Sequence, residues 1–142
     1  MSVDGYFVLD ASALVEVMAA RDPNPALMRR VFTGRAAAPE LIDVEVLNSV
    51  RKHVHRGVME AGVAEHVVAK LGQFPVERSP HRALVRRVWE LRHAVTPYDA
   101  TYIALAEELD IPVVTTDARL GGSNGHAVEV EVYLTSDSVS VR

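Results

Sequence analysis

Thr96-Pro97-Tyr98-Asp99-Ala100-Thr101-Tyr102-Ile103-Ala104-Leu105-Ala106, followed by Val113-Val114-Thr115-Thr116-Asp117, is the stretch on which the fold turns. Thr96 and Pro97 mark a helix start. A capping hydroxyl precedes a proline whose missing N–H costs nothing at the first helical position. Asp99, three residues after the cap, completes a capping box. The spacing predicts a helix over Tyr98 to Leu109. Val113-Val114-Thr115 is short and β-branched, which predicts a buried strand running out at Asp117.

The same alternation extends in both directions. Tyr6-Phe7-Val8-Leu9 predicts a buried strand ending at Asp10, and Ala11 to Ala20 a helix stopped by Asp22-Pro23-Asn24-Pro25. Ala26 to Thr33 predicts a short helix, and Arg35 to Pro39 an extended stretch. Helices follow over Glu40 to Arg56 and Met59 to Leu71, stopped by Gly57 and Gly72. Phe74 to Glu77 predicts a strand, and Ser79-Pro80 opens a helix running to about Ala94. After the late strand come a turn or helix at Asp117 to Leu120, a Gly121 to Gly125 loop, and a half-exposed strand over Val128 to Leu134. Strands alternating with helices imply an α/β fold with a parallel sheet covered on both faces. Crossovers are right-handed, and the ligand site lies beyond the carboxyl ends of the strands.

The 142 residues suit one domain, expected to span 1–142. Hydrophobic residues at 49% and charged residues at 24% exclude an intrinsically disordered chain. The absence of cysteine excludes a disulfide scaffold, a thiolate zinc site and a thiol nucleophile. Met1-Ser2-Val3-Asp4 carries no basic leader, and no apolar run is long enough for a membrane span. A cytoplasmic protein without a membrane partner is expected. The net charge of −4 argues against indiscriminate nucleic-acid binding, but charge distribution decides more than the sum.

Four carboxylates fall at element ends. Asp10 follows the first strand and Asp117 the late one. Asp99 opens the helix between them, and Glu45 lies near the start of the long helix. Capping accounts for Asp10, Asp99 and Asp117 individually. Helical geometry adds a second reading. Asp99 shares a stripe with Tyr102, Ile103 and Ala106, where an unpaired carboxylate is costly. Glu45 and Asn48, three apart, are neighbours on one face. Four carboxylates brought together would take up protons unless a cation compensated them. Oxygen ligands without cysteine favour Mg2+ or Mn2+ over zinc. Such a site suits phosphodiester cleavage by an activated water. Ser12, Thr115 and Thr116 are placed to support the carboxylates through hydrogen bonds.

Val8-Leu9-Asp10-Ala11-Ser12-Ala13-Leu14, Asp43-Val44-Glu45-Val46-Leu47-Asn48, Thr96 to Ala106 and Val114-Thr115-Thr116-Asp117-Ala118-Arg119-Leu120 together resemble the PIN-domain ribonucleases, specifically the VapC-type toxins of toxin–antitoxin pairs. The third segment is the most specific match. The resemblance implies an α/β/α sandwich with parallel strand order 3-2-1-4-5. It implies Mg2+- or Mn2+-dependent endoribonuclease activity with Asp10, Glu45, Asp99 and Asp117 as the site acids. Metal ligation falls to Asp10, Asp99 and Asp117, with Ser12 and Thr115 as supporting hydroxyls. It also implies an RNA substrate, a homodimer and a cognate antitoxin.

Arg82 and Arg86 share a face if their segment is one helix, which suits RNA phosphates or a solvated surface equally. Arg51, Lys52, His53, His55 and Arg56 complement a helix C-terminus. Phe74 and Trp89 are expected in the core or a dimer contact. A competing reading is a receiver-type phospho-acceptor domain. Asp10 is followed by Ala11 rather than by a second acid, and no lysine follows Lys70. A third reading is a catalytically degenerate PIN domain acting only through its partner.

Overall fold

The computed structural model describes residues 5–135. Met1 to Asp4, on which the expectation about a leader rests, and the last seven residues of the expected domain lie outside that range. The elements in order are β1 (Tyr6–Leu9), α1 (Ala11–Ala19), α2 (Pro25–Thr33), β2 (Arg35–Pro39), α3 (Ile42–His55) and α4 (Ala61–Leu71). They continue with β3 (Val76–Ser79), a 3-10 turn (Arg82–Leu84), α5 (Val85–Glu90), α6 (Pro97–Leu109), β4 (Val113–Thr115), α7 (Ala118–Gly121) and β5 (Val130–Val132).

All strand pairs are parallel, and the order is β3-β2-β1-β4-β5. Helices flank the sheet in an α/β/α arrangement, so β1 and β4 are buried from Phe7 and Val113 onward, apolar but for Thr115 at the end of β4. Phe7, Val8, Leu9, Val113 and Val114 are fully buried, joined by Leu14, Ile42, Val46 and Ile103 from the helices. Arg35–Pro39, unpromising as a strand by propensity, pairs with β1 through Tyr6–Arg35, Phe7–Ala36 and Val8–Ala37. Its alanines let the covering helices approach closely, and tertiary packing overrides intrinsic preference.

The chain departs from sequence expectation between Phe74 and Ala94. The strand lies two residues later than expected, at Val76–Ser79, because its register with Ala36–Pro39 decides its position. Ser79 is therefore the last strand residue, and its carbonyl accepts from the Glu40 N–H at 2.8 Å. Pro80 ends that strand rather than opening a helix. The expected long helix is a 3-10 turn followed by the six-residue α5, so Arg82 and Arg86 do not share one regular helix face.

The strand order reverses between β1 and β4, its two central neighbours. This is the switch point at which ligands bind in open α/β sheets. Both strands run out at an aspartate. The ladder continues to that edge, with the Asp10 N–H donating to the Val114 carbonyl at 3.0 Å.

Candidate active site

Asp10 is the anchor of this edge. It is 6% exposed and caps α1, its Oδ1 accepting from the Ala11 N–H at 2.9 Å. Its Oδ2 accepts from the Ser12 hydroxyl and from the Thr115 hydroxyl, each at 2.7 Å. The cap on α1 and the two hydroxyl bonds therefore coexist in one side chain. Thr115 is fully buried, and its Oγ1 also accepts from the Asp117 N–H at 3.0 Å. The Thr116 N–H donates to the Ser12 Oγ at 3.1 Å. Thr115 at the end of β4 and Thr116 after it are thus tied to Asp10 and Ser12, and Thr115 in turn fixes the Asp117 backbone relative to Asp10.

Asp117 caps α7, accepting from the Arg119 N–H at 2.9 Å. It also pairs with the Arg119 guanidinium at 2.9 Å. Gly121 ends α7 against β5. A Cβ there would lie 2.6 Å from Val132 Cγ2, so glycine permits the close approach that seats this turn. Asp99 stands in the first turn of α6, where the Thr96 hydroxyl accepts from its N–H at 3.2 Å. Glu45, in the first turns of α3, accepts a hydrogen bond from the Tyr102 hydroxyl of α6 at 2.6 Å.

The electrostatics mark these acids as a group. Burial pushes the Asp10 carboxyl up, its hydroxyl and amide donors oppose this, and Asp117 adds to it. Burial also raises Glu45, against the Tyr102 hydrogen bond, and the charges of Asp10 and Asp99 raise it further. Asp99 is raised by burial and then by Asp10 and Asp117. Asp117 is the exception, held below the usual carboxylate range by Arg119. Burial and the Glu45 carboxylate push the Tyr102 phenol far up, so it remains a donor.

The four acids feel one another's charge, and Asp10, Glu45 and Asp117 are each engaged by their own donors. Among the described residues, no three His, Asp or Glu side chains converge tightly enough to hold a metal ion as they stand. The donor chemistry nonetheless fits a hard divalent cation. The set is all oxygen, and three members are destabilised as anions first by burial and then by their acidic neighbours, both of which such a cation relieves. Of the supporting residues expected from sequence, Ser12, Thr115 and Thr116 are at this edge. Asn48 is exposed on α3, and its amide oxygen accepts from Arg51 at 3.2 Å. Arg82 and Arg86 are both exposed. Trp89 is 59% exposed and so is no part of the core, whereas Phe74 packs against it and meets the Phe32 ring edge-on.

Beside Ser12 and Thr116 opens a groove of about 580 Å³, lined also by Glu16, Ser49, His53 and Met59. Glu16 is buried one turn below Ser12 and accepts from the Asn24 N–H at 3.0 Å. Sequence reasoning missed Glu16, Arg119 and the Tyr102 hydroxyl. Only Tyr102 had left a signal, sharing the Asp99 stripe.

The PIN domain family matches residues 7–121, the span from β1 through α7. The chain belongs to the PIN-domain family. Its PIN relatives include ribonuclease VapC12 of Mycobacterium tuberculosis, 38% identical over 125 residues, covering 88% of this chain and 97% of that protein. Ribonuclease VapC1 of the same organism is 34% identical over 127 residues, covering 88% and 96%. Among solved structures, PAE2754 of Pyrobaculum aerophilum superposes with a TM-score of 0.62 at 25% identity, covering 87% of this chain and 83% of that one. VapBC2 of Rickettsia felis, solved bound to a promoter DNA fragment, gives 0.63 at 12% identity, covering 89% and 98%, and shares the PIN fold. Among the described residues no helix is long and apolar enough to cross a membrane.

Proposed function

We propose that this chain is a divalent-metal-dependent endoribonuclease and the toxin of a toxin–antitoxin pair. The observation that carries this reading is the Asp10 carboxylate. It is buried at the sheet's switch point, held by the Ser12 and Thr115 hydroxyls, and within the electrostatic reach of Asp117, Asp99 and Glu45. The VapC relatives named as ribonucleases supply the class of reaction.

Asp10, Asp99 and Asp117 would hold Mg2+ or Mn2+ directly, with Glu45 as the fourth carboxylate of the set, its charge adding to the hold on the cation beside the reacting water. Bound there, the cation supplies Lewis acidity and charge stabilisation for phosphodiester hydrolysis. The chain's own residues do the rest. Ser12 and Thr115 hold the Asp10 carboxylate in one orientation, and Thr115 sets the Asp117 backbone behind it. Arg82 and Arg86 meet the RNA backbone from outside the site. A single PIN domain over 1–142 acts in the cytoplasm as a homodimer. A cognate antitoxin holds it inactive, as the toxin–antitoxin complexes among its structural neighbours suggest.

The receiver-type alternative is disfavoured by topology, since that fold orders its strands 2-1-3-4-5 whereas this chain orders them 3-2-1-4-5. The degenerate reading is met by experiment. Induced expression in a bacterial host is expected to arrest growth with accumulation of cleaved RNA. Asp99→Asn is expected to abolish both. Unimpeded growth with intact RNA would contradict the proposal.

A further inference from the structure

We infer that Tyr102 is a positioning residue for the reaction, its hydroxyl fixing the Glu45 carboxylate in the orientation the site uses. The inference rests on the metal-dependent reading above.

Tyr102 is fully buried and is among the largest side chains in the core. A phenylalanine would fill the same space with no polar demand, so packing alone does not explain the hydroxyl. A buried phenol needs a partner. Here the partner is Glu45 Oε1 at 2.6 Å, fifty-seven residues away in sequence and on a different helix. That distance lies in the range of charge-assisted O–H···O⁻ bonds.

The placement has a consequence for the site. Asp99 and Tyr102 are three residues apart on α6, so they project from the same face. One turn of one helix therefore carries an acid of the site and the clamp on another. Glu45 has three side-chain torsions and is only half-buried on α3, so its carboxylate would otherwise sample several rotamers. The bond to Oε1 restrains it and leaves Oε2 to act. Ser12 and Thr115 do the same for Asp10, so among the described residues hydroxyls clamp two of the three site acids that make no ion pair with an arginine.

The test uses the intact chain in four forms: wild type, Tyr102→Phe, Glu45→Ala and the double variant. Manganese binding is measured by calorimetry on chelator-treated protein, and cleavage of pooled RNA gives kcat and KM. Urea midpoints check that each form is folded. Tyr102→Phe is expected to weaken Mn2+ binding about tenfold and to lower kcat by a similar factor, with KM for RNA unchanged. In the Glu45→Ala background it is expected to change neither. The inference is overturned if Tyr102→Phe binds Mn2+ and turns over as wild type does. It is equally overturned if the loss is the same with and without Glu45, because the hydroxyl then acts on the fold. A wild type that neither binds Mn2+ nor cleaves RNA would bring down the metal-nuclease reading itself, a result distinct from failure of the clamp alone.

Discussion

The Thr115 hydroxyl donates to Asp10 Oδ2 at 2.7 Å while its oxygen accepts from the Asp117 N–H at 3.0 Å. One buried side chain at the end of β4 thereby sets the spacing of two carboxylates that lie 107 positions apart in sequence. Thr115→Val keeps the shape and removes both bonds. It leaves a buried carboxylate short of a donor and a backbone N–H without its acceptor, a change that costs on the order of 1–3 kcal/mol. A lower urea midpoint with unchanged slope is expected, together with a loss of RNA cleavage. Wild-type stability in the valine variant would show that the threonine is not needed to order this edge.

The seat of α7 gives an independent test of the Asp117 end. Gly121→Ala places a Cβ 2.6 Å from Val132 Cγ2, so the stiff valine side chain must leave its rotamer or the turn must shift. A loss of about 1–3 kcal/mol is expected from overpacking. Val132→Ala in the same chain should recover most of it. Failure of that recovery in thermal melts would place the strain elsewhere.

Away from the site, Arg87 of α5 pairs with Glu107 of α6 at 2.7 Å and holds its carboxyl below the usual range. A depressed folded-state pKa contributes stability that is present above the unfolded value of about 4.3 and is lost as pH falls through the folded value. Both partners are partly exposed, so the contribution is limited to about 0.5–1 kcal/mol. Arg87→Gln is therefore expected to lower stability at pH 7 and to match wild type more closely near pH 3. Urea titrations at the two pH values check this. An equal deficit at both would mean that lost packing, not charge, is responsible.

Arg82 lies in the 3-10 turn after β3 and Arg86 in α5, and both are exposed. If both meet RNA phosphates, Arg82→Ala with Arg86→Ala should weaken RNA binding and flatten its salt dependence. For two contacts to a single strand, the slope of log K against log salt should fall by roughly 1.4. An unchanged slope would make these arginines an ordinary solvated surface.

Most of the framework was legible because it rests on local signals. Apolar runs ending at Asp10 and Asp117, and the Thr96-Pro97 helix start, announce their elements without help from the rest of the chain. The region from Phe74 to Ala94 was misjudged because its strand register is set by Ala36–Pro39, a contact between distant segments. The same limit applies within the site. Residue type and position pointed to Ser12 and Thr115, which lie beside their acid or at the strand end next to it. Nothing local told that the Tyr102 hydroxyl would cross to Glu45, fifty-seven residues away, whereas the Arg119 pairing with Asp117, two residues away, is local but depends on a side-chain rotamer that residue type alone does not announce. Asn48 lies three residues after Glu45 on α3, as expected of face neighbours, but its side chain is exposed and its amide oxygen accepts from Arg51.

The central claim is that these carboxylates act together, through a divalent cation, on RNA. Its most direct test is cleavage of pooled cellular RNA by the purified, partner-free protein with Mg2+ or Mn2+, with chelator, and with Asp10→Asn and Asp99→Asn. The account predicts cleavage that requires the metal, is lost with chelator, and falls by at least 100-fold in each variant, on the order of the loss expected when a charged catalytic group is removed. Cleavage that persists in chelator, or that survives neutralisation of Asp10 and Asp99, would contradict it.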